Sequence, residues 1–320
     1  MNDAASPSAR LGLGLAAVGR PAYITTDRDH DLGEPETRSI DAMRERAHAL
    51  LDEAWVLGIR YVDAARSYGY AERFLGSWLA AHPERRAELT IGSKWGYEYV
   101  GEWRMDATVH ERKEHSAAML ERQWPETLAA LGSAPDSYLI HSVTPESPAL
   151  EDAGVLERLR EIAAGGVRVG ISTSGPHQGD VVDAARSLAD SPFSVVQATW
   201  NLREQAAGPA LARAHAVGWT VVVKEALAGG ELARSEPDGD VGAGLDGASF
   251  DGAGLDGASL ALGVARAQPW ADVVLSGAVT IPQLRRGAAA PPREIDVETL
   301  RRWADDSGEY WRRRAARLWQ

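Results

Sequence analysis

Eight short runs of mostly apolar, often β-branched residues recur along this chain of 320 residues, each followed by a longer stretch with helical spacing. The runs are Leu11–Ala16, Ile59–Asp63, Leu89–Lys94, Ser137–His141, Val167–Ser172, Ser194–Gln197, Thr220–Val223 and Asp272–Leu275. Strands so short and apolar suit a parallel sheet buried on both faces. Parallel neighbours need a crossover, and a helix supplies it. Eight such units predict an α/β fold of the (β/α)8 TIM barrel class. An open doubly wound sheet is the alternative that a strand count leaves standing. Its dinucleotide fingerprint is missing: Gly12-Leu13-Gly14 is followed by Ala17 where the third glycine belongs, and no clear helix begins there.

The intervening stretches carry amphipathic stripes. Ala47, Leu50, Leu51, Ala54 and Leu57 share one face of Asp41–Leu57, with Gly58 in the place of a C-cap glycine. Leu120, Trp124, Leu128 and Leu131 mark a face of Ser116–Leu131, where Pro125 predicts a kink or a restart. Val155, Leu156, Leu159 and Ile162 form another stripe, closed by Gly165-Gly166. From Val297 to Gln320 the charged, Trp-rich chain predicts a C-terminal helix whose Trp303, Trp311 and Trp319 pack against the barrel. Residues 1–320 are expected to form one barrel domain with a flexible lead over residues 1–9.

Long loops are expected after strands 1, 3 and 7, over Ala17–Ile40, Trp95–His115 and Lys224–Gly257. The last holds a tandem duplication, GAGLDGASFD followed by GAGLDGASL, which gives a repeat-containing loop over 235–257. Such glycine-rich repeats read as flexible chain, with a mobile lid as the alternative.

The formal net charge of −12 argues against partners that bind through bulk positive charge, such as nucleic acid or an anionic membrane. There is no cysteine, so disulfides and thiolate metal sites are excluded, and no metal is expected. The N-terminus MNDAASPSAR has no apolar core of a signal peptide. No run approaches the roughly 18 apolar residues of a membrane span. A cytoplasmic protein handling a small molecule is expected, its oligomeric state left open.

In a barrel of this kind the chemistry sits at the C-terminal ends of the strands. Asp63 ends the second run, Lys94 the third and His141 the fourth, while Tyr68 follows Asp63 in the next loop. Singly, each has a bland reading: a helix N-cap, a lysine reaching solvent, a core histidine, a packed tyrosine. Four polar groups at one end of successive strands point together to a catalytic site.

Around these residues the sequence resembles the aldo-keto reductase family. Asp63-Ala-Ala-Arg-Ser-Tyr68-Gly-Tyr-Ala-Glu72 is similar to the family's D-x-A-x-x-Y-G-x-[SA]-E signature. The lysine, the histidine, VGIST around Ser172 and QATWN around Gln197 follow in the family's order. VHERKEHS (Val109–Ser116) and VVVKEALAGG (Val221–Gly230) resemble a branch apart from the sugar and steroid reductases.

The resemblance implies reduction of an aldehyde, ketone or sugar-like carbonyl with NADP, NAD being possible. It makes Tyr68 the general acid. Lys94 would lower the pKa of the phenol, Asp63 would hold Lys94 charged and oriented, and His141 would orient the carbonyl. Alternatives are a sugar or alcohol dehydrogenase working in the oxidative direction, or a cofactor-binding regulatory protein without turnover.

For the cofactor the resemblance implies Ser172, Thr173 and Gln197 at the carboxamide, with Thr173 in the place of a usual Asn. Leu227 is assigned to the cofactor site, and Ser276, Gly277 and Thr280 to the phosphate loop. Gln283 stands where an arginine often meets the 2′-phosphate, and Gly287 where an Asn often meets adenine. Arg286 and Arg285 are candidates for the missing charge. Lys224-Glu225 replaces a Tyr-Ser pair whose Tyr stacks on nicotinamide. Lys224 either meets the pyrophosphate or pairs with Glu225. Tyr23, Trp95, Tyr97 and Trp103 are assigned to the substrate pocket, which suggests an apolar or aromatic substrate.

Overall fold

The computed structural model describes residues 9–24, 28–233 and 256–319. The lead 1–8 and the stretch 234–255, with most of the duplicated decapeptide, lie outside the described residues. The strands are β1 (Arg10–Gly14), β2 (Tyr61–Asp63), β3 (Thr90–Trp95), β4 (Tyr97–Tyr99) and β5 (Glu111–Lys113), then β6 (Ser137–Val143), β7 (Arg168–Thr173), β8 (Phe193–Thr199), β9 (Thr220–Lys224) and β10 (Val273–Ser276). β1, β2, β3, β6, β7, β8, β9 and β10 pair in that order and close back on β1 as a parallel barrel. All eight expected runs fall on these barrel strands.

Helices fill the crossovers: α1 (Arg28–Leu32) and α2 (Ile40–Val56) after β1, α3 (Ala71–Ala81) after β2, and α4 (Ala117–Leu131) before β6. They continue with α5 (Ala153–Ala164), α6 (Gln178–Ser187), α7 (Gly208–Ala216), α8 (Gly257–Arg266) and α9 (Ile281–Ala289), and end with α10 (Val297–Trp303) and α11 (Ser307–Ala315). Ser39, Ser116, Asp152, Asp256, Thr280, Asp296 and Asp306 each accept a backbone N–H at a helix start.

Four expectations change in detail. α4 runs through Pro125 without a restart, its start fixed by the Ser116 cap and its buried face by Met119, Leu120 and Leu131. The stretch 95–115 is a β-hairpin rather than a loop, with Tyr97, Glu98 and Tyr99 opposite Lys113, Arg112 and Glu111. The C-terminal segment is two helices, because Asp306 caps a fresh start at the Glu309 N–H, 2.9 Å away. The end of the second repeat copy is helical: Asp256 accepts from the Ser259 N–H at 2.7 Å, and Leu260 is buried.

The barrel interior positions the candidate site. Tyr61, Leu139, Val195, Val222, Val273 and Leu275 form an apolar plug. Gly12 lies against it, and a Cβ there would come within 2.9 Å of Leu275 and Val273. That glycine serves close packing rather than a phosphate turn. Strand residues repeat their facing every second position. The next inward layer above Tyr61, Leu139, Val195 and Val222 is therefore Asp63, His141, Gln197 and Lys224. Above Gly92 it is Lys94. A polar layer thus caps an apolar one at the C-terminal end of the barrel.

Candidate active site

Lys94 is fully buried and donates three ways: to Asp63 Oδ2 at 2.6 Å, to the Ala64 carbonyl at 3.0 Å and to the Tyr68 hydroxyl at 3.2 Å. Asp63 Oδ1 accepts from Gln197 Nε2 at 2.8 Å. The Tyr68 hydroxyl also lies 3.5 Å from His141 Nε2, and His141 Nδ1 lies 3.3 Å from Ser67 Oγ. Tyr68 and His141 meet edge to face at 5.4 Å. The four candidates for catalysis therefore converge on one phenol.

Burial sets their charge states. His141 is pushed well below the usual imidazole range by desolvation, then by the Lys94, Lys224 and Arg20 cations. Lys94 is lowered by desolvation, which Asp63 opposes. The Lys94 ammonium favours phenolate, but the expected net lowering of the phenol is corrected here. Tyr68 is raised well above its ordinary 10.0, first by burial and then by the Asp63 carboxylate. The Asp63 partner offsets the field of Lys94, so the phenol keeps its proton.

The cofactor candidates divide. Gln197 leaves Oε1 buried and without a partner, directed by an amide whose other end is tied to Asp63. A buried acceptor in that state suits a primary amide donor. Ser172 Oγ accepts the Ser142 N–H at 2.8 Å and keeps its own proton for donation. Thr173 instead donates to Gln178 Oε1 at 3.2 Å. Ser276 Oγ accepts from the Ala278 N–H at 3.3 Å, Gly277 is exposed, and Thr280 caps α9. Gln283 Oε1 accepts the Val279 and Thr280 N–H groups at 3.0 and 3.3 Å, closing a capping box. Arg285 turns away, gripping Glu53 of α2 at 2.8 and 2.9 Å, while Arg286 is exposed. Leu227 is half-buried against the core.

Lys224 donates to Thr199 Oγ1 at 2.9 Å and lies 3.5 Å from Glu225 Oε1. Burial lowers its pKa to about 8. Glu225 is shared, because Arg314 of α11 takes both its oxygens at 2.8 and 2.6 Å.

Of the pocket aromatics, Tyr97 lies 4.9 Å from the His141 ring, at the site. Tyr23 sits edge-on to Trp319, with the Arg20 guanidinium 4.8 Å from its ring. Trp95 is corrected: as the last residue of β3 it is wholly enclosed and walls no open pocket. Trp103 stacks on Tyr70 at 5.2 Å and donates to the Arg38 carbonyl at 2.9 Å, contacts away from the tyrosine–histidine pair. Trp303 and Trp311 are buried in the core, and Trp319 stacks on His110 at 4.3 Å and meets Tyr23 edge-on.

Arg20, Glu111 and His115 escaped the sequence reading. Arg20 is buried, donates to the Ser67 carbonyl at 2.9 Å and to Glu111 Oε1 at 2.6 Å, and lies 5.3 Å over the Tyr68 ring. His115 Nε2 binds the His141 carbonyl at 2.7 Å. For Glu111 and His115 the available signal was the density of charged and titratable residues in VHERKEHS.

Comparison with known proteins decides the family. The model of the aldo/keto reductase family matches residues 33–262. The chain belongs to the aldo/keto reductase family. It is an oxidoreductase, and its family uses nicotinamide cofactors for carbonyl reduction. D-threo-aldose 1-dehydrogenase of a Pseudomonas species is 26% identical over 257 residues, 75% of this chain and 74% of that protein. An aldo-keto reductase of Gibberella moniliformis is 32% identical over 123 residues, 38% of this chain and 35% of that one. The holo form of an aldo-keto reductase from Bacillus halodurans superposes with a TM-score of 0.69 at 19% identity, covering 93% of each chain. That likeness speaks for the barrel alone. No helix of this reductase, among its described residues, is long and apolar enough to cross a membrane.

Proposed function

We propose that this aldo/keto reductase reduces the carbonyl of an aldehyde, ketone or hydroxycarbonyl, with Tyr68 as proton donor and NADPH as the preferred cofactor. The observation that carries the reading is the Tyr68 hydroxyl, held 3.2 Å from Lys94 Nζ and 3.5 Å from His141 Nε2. Ser172 and Gln197 would hold the carboxamide, and the Ser276–Thr280 turn with α9 the adenosine phosphates. Bound nicotinamide supplies the hydride.

The protein's own groups handle the proton. A phenol kept protonated by burial gives its proton to the oxygen on which charge develops. Lys94, held by Asp63, steadies the phenolate that results. Neutral His141 shares the approach to that oxygen. Ser67 Oγ can donate to Nδ1, which leaves the ring proton on Nε2, facing the Tyr68 hydroxyl. The low exposure of Tyr68 and His141 keeps bulk water from this exchange.

The test is consumption of NADPH and NADH against a panel of carbonyl compounds, with Tyr68→Phe beside the wild type. Turnover lost in the variant supports the reading; turnover kept refutes it. The relative named as an aldose 1-dehydrogenase favours a second reading, oxidation of a sugar in the reverse direction. The same residues would serve it, with Tyr68 as base.

A further inference from the structure

The hairpin strand that follows the third barrel strand presents its alternate residues to the site. Glu111, Lys113 and His115 lie two apart in extended chain, so they share one face. Glu111 holds the guanidinium of Arg20 at 2.6 Å. Lys113 donates to the Ser142 carbonyl at 3.1 Å and to Thr144 Oγ1 at 3.3 Å. His115 binds the His141 carbonyl at 2.7 Å. The intervening residue faces the other way: Arg112 pairs with Glu98, its cross-strand neighbour on β4.

These contacts reach the backbone of His141 and of the residues next to His141 and Tyr68. Ser142, next to His141, has φ of +53°, a conformation costly for a residue with a side chain. Its N–H goes to Ser172 and its carbonyl to Lys113, which hold the strained residue in place. Arg20 fixes the carbonyl of Ser67, next to Tyr68, and packs between the Tyr68 and Trp319 rings, 5.3 and 4.7 Å away.

We propose that Arg20, Glu111, Lys113 and His115 form a positioning brace that aligns Tyr68 and His141 for proton transfer and sets the charge felt by the phenol. The proposal rests on the reading of Tyr68 as proton donor. The brace has an electrical part and a mechanical part. A cation over an aromatic face favours phenolate, and a carboxylate behind it opposes that preference. Among the described residues the charged and titratable groups around Tyr68 are Asp63 of β2, Lys94 of β3, Glu111 of β5, His141 of β6, and Arg20 and Tyr23 of the loop after β1; Tyr97 of β4, His115 and Lys224 of β9 face His141. Within this set Arg20 and Glu111 act on the phenol with opposite signs.

The experiment follows kcat against pH for carbonyl reduction and alcohol oxidation in the full-length enzyme. Glu111→Gln should move both limbs to lower pH and Arg20→Met should move both to higher pH, each by about one pH unit. His115→Phe should lower kcat roughly 10- to 100-fold, with KM and the cofactor Kd, read from Trp fluorescence, near wild type. His115→Gln can donate to the same carbonyl and should recover most of the loss. Limbs that stay in place, or move in the same direction, overturn the electrical part. A His115→Phe enzyme with unchanged kcat, or no recovery in His115→Gln, overturns the mechanical part. Should Arg20→Met fail to fold, the limb of Glu111→Gln decides alone. Tyr68→Phe separates the two readings: if it keeps full turnover the proposed function falls, whereas if it is dead and the brace variants shift nothing, only the brace falls.

Discussion

Gln197 donates its amide to Asp63 Oδ1 at 2.8 Å, while Lys94 takes Oδ2 at 2.6 Å. The carboxylate is thereby gripped on both oxygens and cannot swing. Lys94 is held charged against burial, and its third donor is left for the Tyr68 hydroxyl. Lys94→Met would leave the Asp63 charge facing the phenol without compensation. The phenol would then climb further above its usual range. Carbonyl reduction should fall at least ~10²-fold, and the rise of alcohol oxidation should move to higher pH. Breaking a buried pair typically costs about 3–5 kcal/mol, so a lower melting temperature is also expected. An unchanged pH profile with measurable activity would show that Lys94 does not act on Tyr68.

Tyr68→Phe tests the proton donor itself. The ring keeps its edge contact with His141, and the hydroxyl bonds lost are long, at 3.2 and 3.5 Å. The fold and the cofactor affinity should therefore stay near wild type. Turnover should drop about 10²- to 10⁴-fold. Fluorescence titration with NADPH and steady-state kinetics on the same preparation separate the two effects.

The barrel was legible because its strands are short, apolar and separated by helical stripes. The candidate quartet, Asp63, Tyr68, Lys94 and His141, could be picked out because its residues cluster at strand ends and inside one dense signature, and the fold brings them together. The pKa of the phenol was not. A lysine near a tyrosine suggests a lowered value, but the outcome depends on how far Asp63 cancels that lysine and how deeply Tyr68 is enclosed. Those are distances, not patterns. Arg20 gave no signal because nothing in GLGLAAVGRP marks a guanidinium that will fold under the tyrosine. Trp95 misled for a related reason: an aromatic after a strand reads as a pocket wall until its burial is known.

The loop after β9 is tied to the C-terminal helix. Arg314 holds Glu225 on both oxygens, and Glu225 itself sits at φ of +56°. Arg317 pairs with Glu231 further along the same loop. Arg314→Met would leave Glu225 in a buried place with only Lys224 and the more distant Arg317 to balance it. The expected cost is about 3 kcal/mol of stability, measured by urea unfolding. Arg314→Met combined with Glu225→Gln should cost less than Arg314→Met by itself, because no carboxylate is then stranded. A double variant less stable than the single one would contradict this.

His115 predicts part of the acid sensitivity. Burial lowers its pKa from 6.5 to about 4. In the unfolded chain the ring takes up a proton near 6.5, and in the folded protein only near 4. The stability it contributes is therefore complete above about pH 6.5 and is lost progressively as pH falls toward 4. The linked loss is on the order of 3 kcal/mol. His115→Gln should flatten the pH dependence of unfolding across that window. A slope equal to wild type would assign the acid sensitivity to other groups, His141 first.

Cofactor choice turns on the charge available beyond β10. A 2′-phosphate adds negative charge and acceptor oxygens, which a guanidinium matches well. Gln283 supplies no charge, and its Oε1 is engaged in capping α9. Arg285 is committed to Glu53 on the surface, where such a pair contributes little to stability but does fix the direction of the side chain. Arg286 lies on the exposed side of the same helix and remains available. NADPH should therefore be preferred over NADH by kcat/KM, by a modest margin. Arg286→Ala should narrow that margin, and Arg285→Ala should leave it nearly unchanged. Glu53→Gln, which releases Arg285, should widen it. If NADH is preferred in the wild type, the assignment of the phosphate site fails. If NADPH is preferred and Arg286→Ala changes nothing, the charge comes from a group other than Arg286.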